Sequence, residues 1–397
     1  MALMSYEKGL EILLSAIKPY EKVEKIAITE CLGRILACDI KAQGDYPAFR
    51  TASMDGYAVR FSEQDEPLKI IGCVRAGVFP NYKAGQNECV KTFTGSLMSE
   101  NLDTLVPVEN VVVKENTLII KEKVPLNFAV RGVGESYKKD EILLCKGTKL
   151  GFSELALLAE LGYFHISVFI QPVIGVLSSG DELKDLGENL ENPAQIRSSN
   201  HIALANLAKS FGAKALIFPL LKDEQNSVNL ALQNALQSCD ILISTGGVSM
   251  GDFDFLKTAI KDYELIIDKL DIKPGRHIKI ARSGEKFILA FPGFPYSSMV
   301  AFHLYAREIL NTWLLQKKDY VIKAFLKGAY EKKSPFLEFV ACNVEFIEGK
   351  ICVNLQGKKK GSSAIISNLN HKSALMIVPK ECENLKDNAL VDIILLS

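Results

Sequence analysis

The sequence predicts a multidomain chain that joins an α/β domain to all-β modules. Three observations carry the prediction. The chain has 397 residues, two to four structural units at roughly 150 residues per domain. Between residues 171 and 319, apolar strand-like runs alternate with amphipathic helical patterns, the signature of βαβ units around a mostly parallel sheet in three layers. From residue 26 to about 130, and again after 320, short alternating runs separated by Gly, Pro and Asn turns predict β-rich modules.

In chain order, Leu10, Leu13, Leu14 and Ile17 follow Ser5 at helical spacing, so a helix opens the chain with Ser5 as N-cap. Strands are predicted over 68–74, 88–94 and 110–120. Residues 152–161 form a helical connector that Gly162 ends. In the α/β segment, VIGVLS, AKALIFPL, DILIST, ELIIDKLDI and KFILAF are the strands; helices are predicted over 201–211 and 227–238, after Asp252, and from Pro295 to Gln316. The runs EFVACNVEF, KICVNL, SALMIVP and ALVDIILL then predict a small all-β domain.

With 47 basic against 47 acidic residues, the chain lacks the cationic excess that nucleic-acid or anionic-membrane binding requires. No apolar run reaches the length of a membrane span, and the charged Glu7, Lys8 and Glu11 interrupt any signal-peptide core. Nine scattered cysteines without a CxxC pair argue against structural zinc and a disulfide framework, and predict a cytoplasmic protein.

Candidate chemistry gathers at predicted strand ends. Ser178 to Glu182 and Ser244 to Asp252 are glycine- and hydroxyl-rich loops, predicted to stand directly before helices and to cradle phosphate, with Ser179, Gly180, Gly246, Gly247 and Ser249 as donors. Asp181, Glu182, Asp223, Asp252 and Asp254 cluster there. Asp181 and Asp252 are read as helix caps, Glu182 and Asp254 as ligands of Mg²⁺, which takes oxygen donors beside phosphate. Lys269, Lys273 and Arg276 flank the Pro274-Gly275 turn and predict an oxyanion pocket. Asp55-Gly56 by itself suggests a hairpin turn, and Lys358 to Lys360 a solvated turn.

Taken in order, MDGYAV, FTG, GDEL, QIRSSN, TGGVSMGD, IKPG and FPGFP resemble the molybdopterin molybdenumtransferase family, which includes MoeA and the gephyrin E-domain. The resemblance implies an elongated protomer of four parts: a connector (1–44 and 138–170), an inserted β-rich domain (45–137), an α/β molybdopterin-binding domain (171–319) and a C-terminal β-barrel (320–397). It implies molybdate insertion into adenylylated molybdopterin with release of AMP, dependent on Mg²⁺. It also implies a homodimer whose site is shared between protomers, with a molybdopterin adenylyltransferase as a possible partner. Asp55, Thr94, Glu182, Asp223, Asp254, Lys269, Lys273, Pro292, Pro295 and Ser362 match functional positions of the family.

Three positions depart from the family pattern. Ser136 follows Glu135 where an acid is usual, Phe294 replaces the amide of PGNP, and Ala341 stands where EFxR carries arginine. These departures imply an alternative: a tungstate-selective or non-catalytic molybdopterin-binding scaffold. Adenylyl transfer to molybdopterin is a third reading, disfavoured by the additional domains.

Overall fold

The computed structural model describes residues 3–221, 225–246, 259–316, 319–359 and 362–396. The chain opens with α1 (Tyr6–Ala16), where Ser5 Oγ accepts the Lys8 N–H at 3.2 Å as the predicted N-cap. Two compact units follow from the chain contacts: Cys38–Lys146 with Phe152–Phe164, and Met1–Ala37 with Gly147–Gly151 and His165–Ser397.

The first unit holds a six-stranded sheet of β1 (Gly56–Val59), β2 (Leu68–Val74), β3 (Glu88–Thr92), β4 (Thr104–Pro107), β5 (Val111–Lys114) and β6 (Thr117–Ile120), in the order β4-β1-β3-β2-β6-β5. The predicted strand over 110–120 is a hairpin, because Glu115 turns the chain with a positive φ of 52°. Gly56 begins β1 and makes no hairpin turn: it pairs with Pro107, and a Cβ there would stand 2.3 Å from the Val106 carbonyl oxygen. Close strand approach, not turn geometry, is what selects glycine. The connector helix α2 (Phe152–Glu160) ends where Gly162 takes φ 80°.

The second unit carries the α/β layers. Their elements are β7 (Val173–Ser178), a two-strand ribbon of β8 (Leu183–Lys184) and β9 (Ile196–Arg197), α3 (Asn200–Ser210), β10 (Lys214–Ile217), α4 (Gln225–Ser238), β11 (Ile241–Thr245), β12 (Glu264–Ile267), β13 (Ile272–Lys273), β14 (Lys279–Ser283) and β15 (Lys286–Phe291). The main sheet runs β10-β7-β11-β15-β14-β12. Its first four strands are parallel, whereas β14 runs antiparallel to both of its neighbours, β15 and β12, so the sheet is mixed at one edge.

Strand alternation builds the three layers. Ile174, Val176, Ile241, Ile243, Phe287, Leu289 and Phe291 face one side with Leu204 and Ala208 of α3. Leu177, Leu242, Ile288 and Ala290 face the other with Leu232, Ala235 and Leu236 of α4. Each fully buried Val, Leu, Ile or Phe among them contributes about 1.5–3 kcal/mol through removal from water. The predicted long C-terminal helix is α5 (Pro295–Ala301) and α6 (Arg307–Trp313), joined by a π-helical turn, Phe302–Ala306.

The last domain is β16 (Val321–Lys327), β17 (Leu337–Ile347), β18 (Lys350–Asn354), β19 (Ser373–Val378) and β20 (Leu390–Leu395). Strand order β17-β18-β16-β20-β19 returns to β17, which closes a five-stranded barrel around Leu326, Cys342, Val353, Met376 and Ile393. β13 leaves the α/β layers and pairs with β17, with Ile272 opposite Leu337 and Lys273 opposite Glu338.

Candidate functional site

The parallel strands deliver their carboxyl ends to one place. There Ser178 Oγ and Thr245 Oγ1 lie 2.9 Å apart, and the Ser179 N–H donates to the Thr245 carbonyl at 3.0 Å. Gly246 has φ 89°, and a Cβ on it would sit 2.4 Å from the Ser179 carbonyl oxygen, so this contact admits only glycine. The loop after β15 closes on the same point, with the Gly246 Cα 3.6 Å from where a Gly293 Cβ would be. Asn200, at the start of α3, ties that loop down by donating from Nδ2 to the Gly293 carbonyl at 2.7 Å.

Above these loops lies a cavity of about 810 Å³. Ser179, Glu182, Gly246, Lys273, Pro292, Pro295 and Ser362, all singled out from sequence, share its wall. Gly180 adjoins it and is held at φ 153°, with the Glu182 carboxylate folded so closely over it that a Cβ would stand 2.6 Å from Glu182 Oε2. Lys269 is exposed and does not line the cavity. Its charge is still felt there: burial first, then Arg276 and Lys269, lower the pKa of His277, a lining residue. Asp223, Gly247, Ser249, Asp252 and Asp254 lie outside the described residues.

The barrel forms the opposite wall. Glu338 is 2% exposed and accepts from Tyr330 Oη at 2.7 Å, Ser334 Oγ at 2.8 Å and Lys273 Nζ at 3.1 Å. Burial alone would raise its pKa, but the three donors hold it below the usual carboxylate range. Burial and the bond to Glu338 push the Tyr330 hydroxyl up. The register of β13 on β17 explains why Lys273 and Glu338 meet. Lys273 therefore reaches the cavity already paired.

Lys358 is half-buried and donates to the Asn368 carbonyl at 2.6 Å and Ser373 Oγ at 2.8 Å, and burial lowers its pKa. It lines the cavity with Lys359; the solvated-turn reading is corrected for Lys358 alone, since Lys359 is exposed, and Lys360 is outside the described residues. The lysines lie where the chain leaves β18, and Asn368 holds them by bonds of 2.9 Å to both the N–H and the carbonyl of Lys359. Among the described residues, Arg197, Lys273, Arg276, Lys358 and Lys359 outnumber Glu182 and Glu338 on the wall, so this part of the cavity suits an anion.

The helix-cap reading of Asp181 also needs correction. The loop after β7 enters the ribbon β8–β9, and α3 begins only at Asn200, so Asp181 stands before no helix. Sequence reasoning likewise gave no site role to Tyr330, to the lysines of the barrel wall or to Arg197, although Arg197 lies in the QIRSSN stretch. The available signal was the hydroxyl-rich SSN stretch before a helix and the spacing of Tyr330 and Glu338, both too common to select.

In the other unit, Asp55 Oδ1 accepts the Thr94 N–H at 2.8 Å and the Thr94 hydroxyl at 2.7 Å. Those two bonds, the backbone one first, lower the Asp55 pKa. Nearby in sequence, Arg131 donates to Glu135 at 3.0 Å and to Ser136 Oγ at 2.8 Å. Of the remaining departures, Phe294 is 59% exposed at the cavity wall, and Ala341 is a buried lining residue whose N–H donates to Tyr296 Oη at 3.0 Å.

Comparisons with known proteins agree along the whole chain. Residues 4–162 match the MoeA N-terminal region (domain I and II), and residues 175–312 a probable molybdopterin binding domain. A molybdopterin molybdenumtransferase of Bacillus subtilis is 30% identical over 390 residues, covering 94% of this chain and 90% of that protein. One from Staphylococcus epidermidis is 28% identical, covering 97% and 94%. The crystal structure of a molybdopterin biosynthesis MoeA protein from Pyrococcus horikoshii superposes with a TM-score of 0.85 at 27% identity over all of both chains. With motifs, layers and barrel in agreement across nearly its full length, this chain belongs to the molybdopterin molybdenumtransferase family.

Proposed function

We propose that this chain inserts molybdate into adenylylated molybdopterin and releases AMP. The observation that carries the reading is the cavity, where backbone and hydroxyl donors at the strand ends face a wall rich in cations. Its volume of about 810 Å³ suits a nucleotide-linked ligand, and its charge suits phosphates together with an oxyanion. The names of the relatives support the same chemistry.

Glu182 offers a carboxylate beside the Ser179 and Thr245 lining residues, an oxygen set of the kind Mg²⁺ accepts alongside ligand phosphates. Glu182 would hold the ion together with Asp254. When bound, Mg²⁺ supplies neutralisation of the pyrophosphate charge. Ser179 and Gly246 position the phosphates, and Lys273 and Arg276 orient the oxyanion near the Pro292 and Pro295 loop and Ser362.

We assign the chain to the cytoplasm as a homodimer with a shared site, in which the Asp55–Thr94 pair of one protomer serves the cavity of its partner. A molybdopterin adenylyltransferase supplies the substrate. The four-part division at residues 44, 137, 170 and 319 belongs to the same reading.

One observation favours a second reading, altered oxyanion choice or a scaffold role: Ala341 adds no charge to the wall and Lys273 is paired with Glu338. Purified protein incubated with adenylylated molybdopterin, Mg²⁺ and either molybdate or tungstate should release AMP with molybdate. Release with tungstate alone would select the second reading, and no release with either would reject catalysis.

A further inference from the structure

The ribbon that follows the first phosphate loop has a consequence for proton transfer. Its parallel register sets Leu183 against Ile196 and Lys184 against Arg197, so Asp185 and Ser198 leave it as neighbours. The Ser198 N–H donates to the Lys184 carbonyl at 2.9 Å and fixes that placement. Two residues later α3 begins, and its first turn brings His201 back over Ser198. Ser198 Oγ lies 2.6 Å from His201 Nδ1, and His201 Nε2 lies 3.5 Å from Asp185 Oδ1.

Ser198 and His201 are each 3% exposed, while Asp185 is exposed and Ser198 contributes to the cavity wall. A carboxylate facing Nε2 favours the tautomer with its hydrogen on Nε2. Nδ1 is then the acceptor for the Ser198 hydroxyl hydrogen. The N-cap residue of α3 is Ser199, which makes no side-chain cap bond, so the Ser198–His201 contact is not the cap of this helix.

We infer that Ser198, His201 and Asp185 form a proton relay serving the hydrolysis that frees AMP, an inference that rests on the reaction proposed above. The oxygen of a water molecule bonds to the α-phosphorus of the adenylyl group, and the bond from that phosphorus to the bridging oxygen breaks. The water oxygen stays on AMP, and the bridging oxygen leaves on the molybdopterin phosphate. One water proton passes to Ser198 Oγ as the Ser198 proton passes to His201 Nδ1, and Asp185 balances the imidazolium charge. His201 then returns its proton through Ser198 to the departing phosphate. Ser198 is the catalytic residue; His201 and Asp185 act through it.

The test is single-turnover AMP release from adenylylated molybdopterin, with AMP affinity measured by calorimetry and a thermal melt for each variant. General-base assistance contributes about 10²–10⁴-fold, so Ser198→Ala and His201→Ala should each slow release at least about 100-fold while AMP affinity stays within about twofold. Ser198→Thr, which keeps the hydroxyl, should restore most of the rate. His201→Asn retains an acceptor for the Ser198 hydroxyl but cannot take its proton, and should remain as slow as His201→Ala. Asp185→Asn, at an exposed position, should slow release measurably but less than His201→Ala, and carries the test if the buried His201 variants melt early.

A His201→Asn variant with the wild-type rate would reduce His201 to a support for Ser198 and overturn the relay. Normal release by Ser198→Ala or Asp185→Asn would overturn it as well, with the reaction itself intact. Wild-type protein that releases no AMP would overturn the reaction and the relay together.

Discussion

The α/β wall of the cavity presents backbone groups and small hydroxyls from Ser179, Thr245 and Gly246, whereas the barrel wall presents the charged side chains of Glu338, Lys358 and Lys359. The first is built by close approach: a hydroxyl pair 2.9 Å apart and a glycine that any Cβ would displace. The second is built by pairing, since Glu338 is held by three donors drawn from Lys273, Tyr330 and Ser334. A wall of close contacts fails by steric intrusion, and a wall of paired charges fails by losing a partner. Both failures can be measured.

The largest expected effect breaks the α/β wall. Gly246→Ala combines a positive φ of 89° with a Cβ 2.4 Å from the Ser179 carbonyl oxygen. Left-handed backbone costs roughly 1–2 kcal/mol for a residue with Cβ, and overpacking adds about 1–3 kcal/mol. Urea denaturation should therefore show a loss of about 3 kcal/mol, together with loss of AMP binding. A variant of native stability would mean that the two loops separate at little cost.

The barrel wall should yield somewhat less. Glu338→Ala removes the acceptor of the buried Tyr330 hydroxyl and of Ser334, and an unsatisfied buried donor costs about 1–3 kcal/mol. A loss near 2 kcal/mol is expected. Because Lys273 is released from its pair, anion affinity should rise even as stability falls. If stability and anion affinity fall together, Glu338 orients Lys273 for the ligand and does not restrain it.

The two walls also differ in how much of them sequence could reveal. Contiguous loops such as SSGDE and TGG carry their chemistry within a few residues, because a strand end followed by glycine places its own backbone donors. Hence Ser179, Glu182 and Gly246 were legible and share the wall. The barrel wall depends on strand register over long separations. Lys273 meets Glu338 only because β13 crosses to pair with β17, and Lys358 is drawn inward by Asn368 and Ser373. No local pattern encodes those pairings, so a lysine run looked like solvent-facing sequence. The fold was more legible than the site, because strand alternation repeats within each element. The mixed sheet edge and the ribbon β8–β9, each set by pairing partners, escaped it.

Acid should expose a third contrast, smaller when read per pH unit. His303, in the π-helical turn behind the α/β wall, is 3% exposed, and burial, with a lesser contribution from Arg307, lowers its pKa to about 3. The unfolded chain binds this proton near pH 6.5 and the fold does not, so stability falls as pH drops from about 6.5 towards about 3, by at most about 1.4 kcal/mol per unit. Glu338 also has a lowered folded pKa, but its contribution is intact above the ordinary carboxylate range and is lost only below it. Between pH 6 and about 5, the His303 contribution should thus dominate over that of Glu338. Denaturant melts of His303→Leu should lose that slope, and an unchanged slope would assign it to other groups.

The smallest effect concerns Phe294, the aromatic residue at the start of α5 where the α/β wall ends. The residue is 59% exposed, so Phe294→Asn should change stability by no more than about 0.5 kcal/mol. Its position on the cavity wall gives it another consequence: a planar ring beside a nucleotide-sized cavity offers a face for stacking. Stacking of a base on an aromatic side chain contributes about 1–3 kcal/mol. AMP binding should weaken between about fivefold and about 150-fold in Phe294→Asn, while inorganic phosphate, which has no ring, binds both proteins alike. Equal weakening for both ligands would place the effect in the loop backbone through the N-cap of α5. Tighter AMP binding would mean that the ring obstructs the cavity, and that the α/β wall keeps only its backbone and hydroxyl donors for the nucleotide.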